Sequence, residues 1–107
     1  MRPAYLELKA KPGSGYEIVW KQPVVENRRL PIDPIFPSHC ELEETSPPEL
    51  TGRALLKRWQ TECDLSKADI EITGLRTSIT DVMVRHIDKA RTIATYVVQP
   101  EDPVLKL

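Results

Sequence analysis

The stretch Ser46–Leu65, SPPELTGRALLKRWQTECDL, is the segment around which the rest of the chain must arrange itself. Its start carries helix signals. Ser46 suits an N-cap, Pro47 suits the first helical position, and Glu49 stands where a capping box needs its acid. Thr51 is a second possible cap, one turn later. At roughly 100° per residue, Gly52, Leu55, Leu56, Trp59 and Cys63 fall on one stripe, with Arg53, Lys57, Gln60 and Asp64 opposite. Glu49–Arg53 and Arg58–Glu62 are i,i+4 pairs worth about 0.2–0.5 kcal/mol each. The spacing therefore predicts an amphipathic helix that lays Trp59 into a core.

Two strands are expected before it. Leu6, Leu8 and Ala10 alternate with Tyr5, Glu7 and Lys9. After Lys11-Pro12-Gly13-Ser14-Gly15, Tyr16, Ile18 and Trp20 alternate with Glu17, Val19 and Lys21. Two period-2 runs across a turn read as a β-hairpin over residues 1–22. The Gly13-x-Gly15 turn does not read as a phosphate loop, because a strand and not a helix follows it.

Residues 23–45 have neither period. They hold Pro23, Pro31, Pro34 and Pro37, and end in the acids Glu41, Glu43 and Glu44. Val24, Val25, Leu30, Ile32, Ile35 and Phe36 make them too apolar for a disordered linker, so an extended, proline-rich arm is expected. Proline at every third residue from Pro31 to Pro37 matches the three-residue turn of polyproline II. Arg28 completes an R-x-x-P-x-x-P spacing of the kind that aromatic-lined grooves read. Arg28, Arg29, Pro31, Pro34, Ile35, Phe36 and Pro37 are the candidate partner-binding residues.

Past the central stretch, Ala68, Ile70 and Ile72 alternate with Asp69, Glu71 and Thr73, which predicts a strand that Gly74 ends. Residues 78–91 hold the β-branched Ile79, Thr80, Val82, Val84 and Ile87, yet Asp81 and Arg85 would share a strand face with Ile79, Met83 and Ile87. A helical stripe of Ile79, Val82, Met83, His86, Ile87 and Ala90 resolves that conflict, and a helix is expected. Its rival is a β-hairpin turning at Asp88–Arg91. Residues 92–98, TIATYVV, read as a strand, with continuation of the helical stripe through Ile93, Ala94 and Val97 as the alternative, and residues 100–107 read as a tail.

The resulting order is β-β-(arm)-α-β-α-β. It predicts one α+β domain over residues 1–107, with two helices packed on one face of a small, mixed, roughly four-stranded sheet.

Chemistry is sparse. His39, Cys40, Cys63 and His86 lack the short paired spacings of structural zinc sites. Two cysteines make no disulfide framework, and Cys63 on the helical stripe reads as a free thiol acting as a small hydrophobe. No catalytic, cofactor-binding or metal residue is assigned, and no cofactor is expected. The net charge of −1 gives no global pull toward nucleic acid or an anionic membrane. Charge is blocky, though. Residues 1–30 carry six basic and three acidic side chains, and residues 31–50 carry five acids and no base. The expected function is that of a non-enzymatic accessory or adaptor protein that binds another protein through the arm. The alternative is a nucleic-acid-binding or regulatory protein using the basic face of the central helix, Arg53 and Lys57, together with Arg85. With no leader pattern and no long apolar run, a cytoplasmic or otherwise intracellular location is expected.

Overall fold

The computed structural model describes residues 3–107. Met1 and Arg2, the first residues of the hairpin expected over 1–22, lie outside it. The described chain is nearly all β, with ten strands and one 3-10 turn, Leu75–Thr77. The strands are β1 (Ala4–Ala10), β2 (Tyr16–Val25), β3 (Arg28–Arg29), β4 (Asp33–Ile35), β5 (Glu43–Thr51), β6 (Ala54–Thr61), β7 (Asp69–Thr73), β8 (Val82–Ile87), β9 (Ile93–Val98) and β10 (Val104–Lys106). The α+β expectation is therefore overturned, and neither expected helix exists. Among the described residues no helix is long and apolar enough to cross a membrane.

The strands form two layers. The large sheet runs β5-β6-β2-β1-β8-β9, with β3 on the end of β2; the small sheet runs β10-β7-β4. All pairings are antiparallel except β1 with β8. Inner-face side chains of the large sheet (Leu6, Leu8, Ile18, Trp20, Val82, Val84) join Ile70, Ile72 and Leu105 of the small sheet in one buried cluster. Ile32, Phe36, Leu65 and Leu75, from the connections, complete it. Each such side chain contributes about 1.5–3 kcal/mol by leaving water.

The N-terminal hairpin is as its alternation predicts. Tyr5 pairs with Lys21 and Ala10 with Tyr16, and the residues read as one face are the buried ones. The predicted strand at 68–73 is β7.

The central stretch is a second hairpin. Leu50 pairs with Leu55 and Thr51 with Ala54, so Gly52-Arg53 is a two-residue turn. Gly52 has φ 61°, the left-handed backbone that the first central position of a type II′ turn requires. The helical stripe dissolves into two strand faces. In register with β2, Leu55, Lys57, Trp59 and Thr61 stand opposite buried Gln22, Trp20, Ile18 and Tyr16, whereas Leu56, Arg58 and Gln60 stand opposite the outward-facing set. Ser46, Pro47 and Glu49 belong to an edge strand whose pairing shifts register twice. Proline is tolerated there because an edge strand has ladder positions with no partner to donate to.

The second expected helix is β8, and the chain turns back at Asp88–Arg91 as the rival reading has it. Asp88 N–H donates to the Thr92 carbonyl at 3.1 Å, and Thr92 N–H donates to Asp88 Oδ1 at 2.9 Å. Val82, Val84 and His86 point inward. Met83, Arg85 and Ile87 share the outer face of the sheet, which no second layer among the described residues covers, so charge and apolar groups can mix there. The strand expected at 92–98 is β9.

Candidate protein-binding groove

The arm is part of the molecule's own fold. Glu26 and Asn27, with φ 52° and 63°, form a tight turn between β2 and β3. Gln22, fully buried, reaches across from β2, and its amide nitrogen donates to the carbonyls of Leu30 and Ile32, the latter at 3.0 Å. Ile32, Pro34 and Phe36 are buried, and Pro34 lies in β4 opposite Ile72. Phe36 meets Trp59 edge-on, with ring centroids 6.2 Å apart. Of the candidate arm residues, Arg28, Arg29, Pro31 and Ile35 are exposed and Pro37 is half-buried. The three prolines thus do not present one open edge.

Among the described residues, the side of the molecule that no layer covers is the outer face of the large sheet. Register places Val97, Met83, Tyr5, Lys21, Leu56 and Glu49 in one row across six strands. At its centre the Tyr5 hydroxyl donates to Glu7 Oε1 at 2.8 Å. Partial burial raises the Tyr5 pKa above the ordinary tyrosine value, and the hydrogen bond to Glu7 adds to this.

Where this row meets the end of the sheet, a cavity of about 640 Å³ opens beside Tyr5, Lys21, Pro23, Arg53 and Met83. A second, of about 870 Å³, lies on the other side of the Gly52-Arg53 turn, against Val24, Val25, Glu26 and Leu50. Pro23, Gly52 and Arg53 line both, so the two cavities adjoin at the turn, one on the Lys21 side and one on the Leu50 side, and are together called the groove. Its apolar lining includes Leu50, 68% exposed, and Val25, 37% exposed. Lys21 and Arg53 are exposed, and neither makes an ion pair among the described residues. The groove is hidden in the sequence because the helix pattern that starts at Ser46 runs through Leu50 and Arg53. The turn signal Thr51-Gly52-Arg53 was the clue that could have revealed it.

The residues considered for nucleic acid do not share a surface. Arg53 tops the β5–β6 turn, Lys57 faces inward 4.0 Å from Asp33, and Arg85 lies on the outer face.

The candidate metal ligands divide as well. His39, Cys40 and Cys63 lie together, with ligand atoms within 4.8 Å of one another. The two cysteines, however, form a disulfide, which corrects the reading of Cys63 as a free thiol. A bonded sulfur is not the thiolate that binds metal or attacks a substrate. His86 lies apart. Its Nε2 is hydrogen-bonded to the Tyr16 hydroxyl at 2.8 Å in the core, and burial there pushes the Tyr16 pKa up, with Asp64 and Asp88 adding to the shift. Comparison of the chain with protein-family models, with curated proteins and with solved structures found no match.

Proposed function

We propose that this chain is a protein-binding accessory domain whose groove takes an extended segment of another protein, acidic in character and anchored by an apolar side chain. The observation that carries the reading is that exposed apolar side chains and two cations without an ion pair among the described residues line two adjoining cavities that share Arg53. Leu50 and Val25 line one cavity, Met83 and Lys21 the other, and Arg53 lines both. Cavities of this size suit a few side chains of a peptide, and cations on the rim select partners by charge. The arm contributes only its first residues, Pro23 to Asn27, to the groove. Its exposed Arg28, Arg29, Pro31 and Ile35 are the competing surface.

The disulfide bears on where such a domain works. Reducing compartments keep thiols apart, whereas oxidising ones let disulfides persist. The Cys40–Cys63 bond therefore favours an oxidising compartment over the cytoplasm expected from the sequence.

Selection of a displayed random peptide library on the immobilised oxidised protein tests the reading. Enriched peptides are expected to combine Asp or Glu with a large apolar residue. Arg53→Glu and Leu50→Asp are expected to weaken their binding about tenfold or more each, and Ile35→Asp, on the other layer, to leave it unchanged. Loss of binding on Ile35→Asp alone would return the site to the arm.

A further inference from the structure

The two edges of the large sheet are built differently. β5 carries the marks of an edge protected from pairing: Pro47 and Pro48, three carboxylates (Glu43, Glu44, Glu49) and two shifts of register. β9, IATYVV, has no proline and no charge, and it pairs with β8 without a register shift. Among the described residues no strand pairs with its outer side. Ile93 and Val97 are each 52% exposed on the outer face. A regular, neutral, apolar edge with free backbone groups is a template for another strand.

We propose that the occupant is a second copy of this chain, with β9 of each protomer antiparallel to β9 of its partner about a two-fold axis at Thr95. The strand is self-complementary in that register. Ile93 of one copy falls opposite Val97 of the other, Thr95 opposite Thr95, and Ala94 opposite Tyr96. Shifting the register by two residues sets Ile93 against Thr95 or Gln99 instead. Only the Thr95-centred pairing joins the exposed apolar residues to each other, and β-branched cross-strand pairs of this kind stabilise a sheet.

Charge agrees with the same register. The turn before β9 holds Lys89 and Arg91, and the turn after it holds Glu101 and Asp102. Asp88, the acid of the first turn, is engaged by Thr92 N–H. Antiparallel pairing sets the basic turn of each copy beside the acidic turn of the other, with Lys89 level with Glu101. A parallel pairing would set like beside like. The dimer closes, because an isologous contact uses up both free edges. It also continues the row Val97–Met83–Tyr5 across the axis to Ile93 of the partner.

Sedimentation velocity on the oxidised full chain over about a hundredfold range of concentration tests this. The wild type is expected to shift from monomer to dimer. Ile93→Lys and Val97→Lys together place like charges opposite one another and are expected to raise the dimer Kd about tenfold or more, with an unchanged β-type circular dichroism spectrum. A nitroxide on Thr95→Cys is expected to show short-range spin–spin broadening in the dimer that one on Lys106→Cys lacks. A wild type that stays monomeric throughout overturns the proposal, as does a dimer indifferent to the two lysines. A monomer that binds a free peptide of β9 sequence would overturn self-pairing and assign the edge to a strand from elsewhere.

Discussion

Lys11 and Ser14 show how single residues hold the first turn. Lys11 Nζ donates to Glu62 Oε1 at 3.1 Å, and the Ser14 hydroxyl donates to Glu62 Oε2 at 3.2 Å. The lysine chiefly, by hydrogen bond and charge, holds the Glu62 carboxyl below its ordinary pKa, and Ser14 lowers it further. On acidification the unfolded chain therefore takes up this proton first. The contact's contribution is complete above the unfolded-state value and is lost as pH falls through the folded-state value. In Lys11→Met the Glu62 titration, followed by carboxyl-carbon NMR, is expected to move up toward the ordinary value. Gln22 is the buried counterpart. Gln22→Leu keeps the shape but takes the side-chain donor from the Ile32 carbonyl, whereas the Leu30 carbonyl still accepts from Ile32 N–H; the change is expected to cost about 1–3 kcal/mol in urea unfolding. Proteolysis between residues 26 and 32 is expected to quicken as well. An unchanged cleavage rate would mean that the arm is held by Ile32, Pro34 and Phe36 alone.

Among the elements, the hairpin Glu43–Thr61 explains both what the sequence displayed and what it hid. Ser46-Pro47 followed by Glu49 satisfies a helix-start pattern and an edge strand equally, since proline at a helix start and on a sheet edge both dispense with an N–H. Leu55, Leu56 and Trp59 satisfy a helical stripe because both faces of β6 are partly apolar. The period-2 signal is weak for that reason, and Gly52 was the decisive residue. β8 misled by the reverse route. Its mixed outer face, Met83-Arg85-Ile87, breaks alternation only if an outer face must be polar. β1, β2 and β7 were legible because each has one wholly buried and one mostly polar face. The disulfide was not legible, because pairing Cys40 with Cys63 needs the β5–β6 hairpin to return the chain beside the arm. It closes a loop across a sequence separation of 23 residues, so replacing both cysteines by alanine is expected to lower stability by about 2–4 kcal/mol. Equal urea midpoints for the two forms would show that the bond adds nothing to the fold.

At the scale of the molecule, the unequal layers decide what is free to bind. Three short strands cover the inner face of a much wider sheet, and nothing among the described residues covers the outer face. The groove at the Gly52-Arg53 turn and the β9 edge lie at different borders of that sheet. A partner segment and a second copy can therefore bind together. None of this surface was visible as a site in the sequence, because its residues come from β1, β2, the β5–β6 turn and β8 and meet only through the strand order. The most direct test of the groove is a chemical-shift map of the 15N-labelled protein titrated with an acidic, apolar-anchored peptide from the selection. Shifts centred on Tyr5, Lys21, Leu50, Arg53 and Met83 are the predicted result. Shifts centred on Arg28 to Pro37, with the groove silent, would contradict the account.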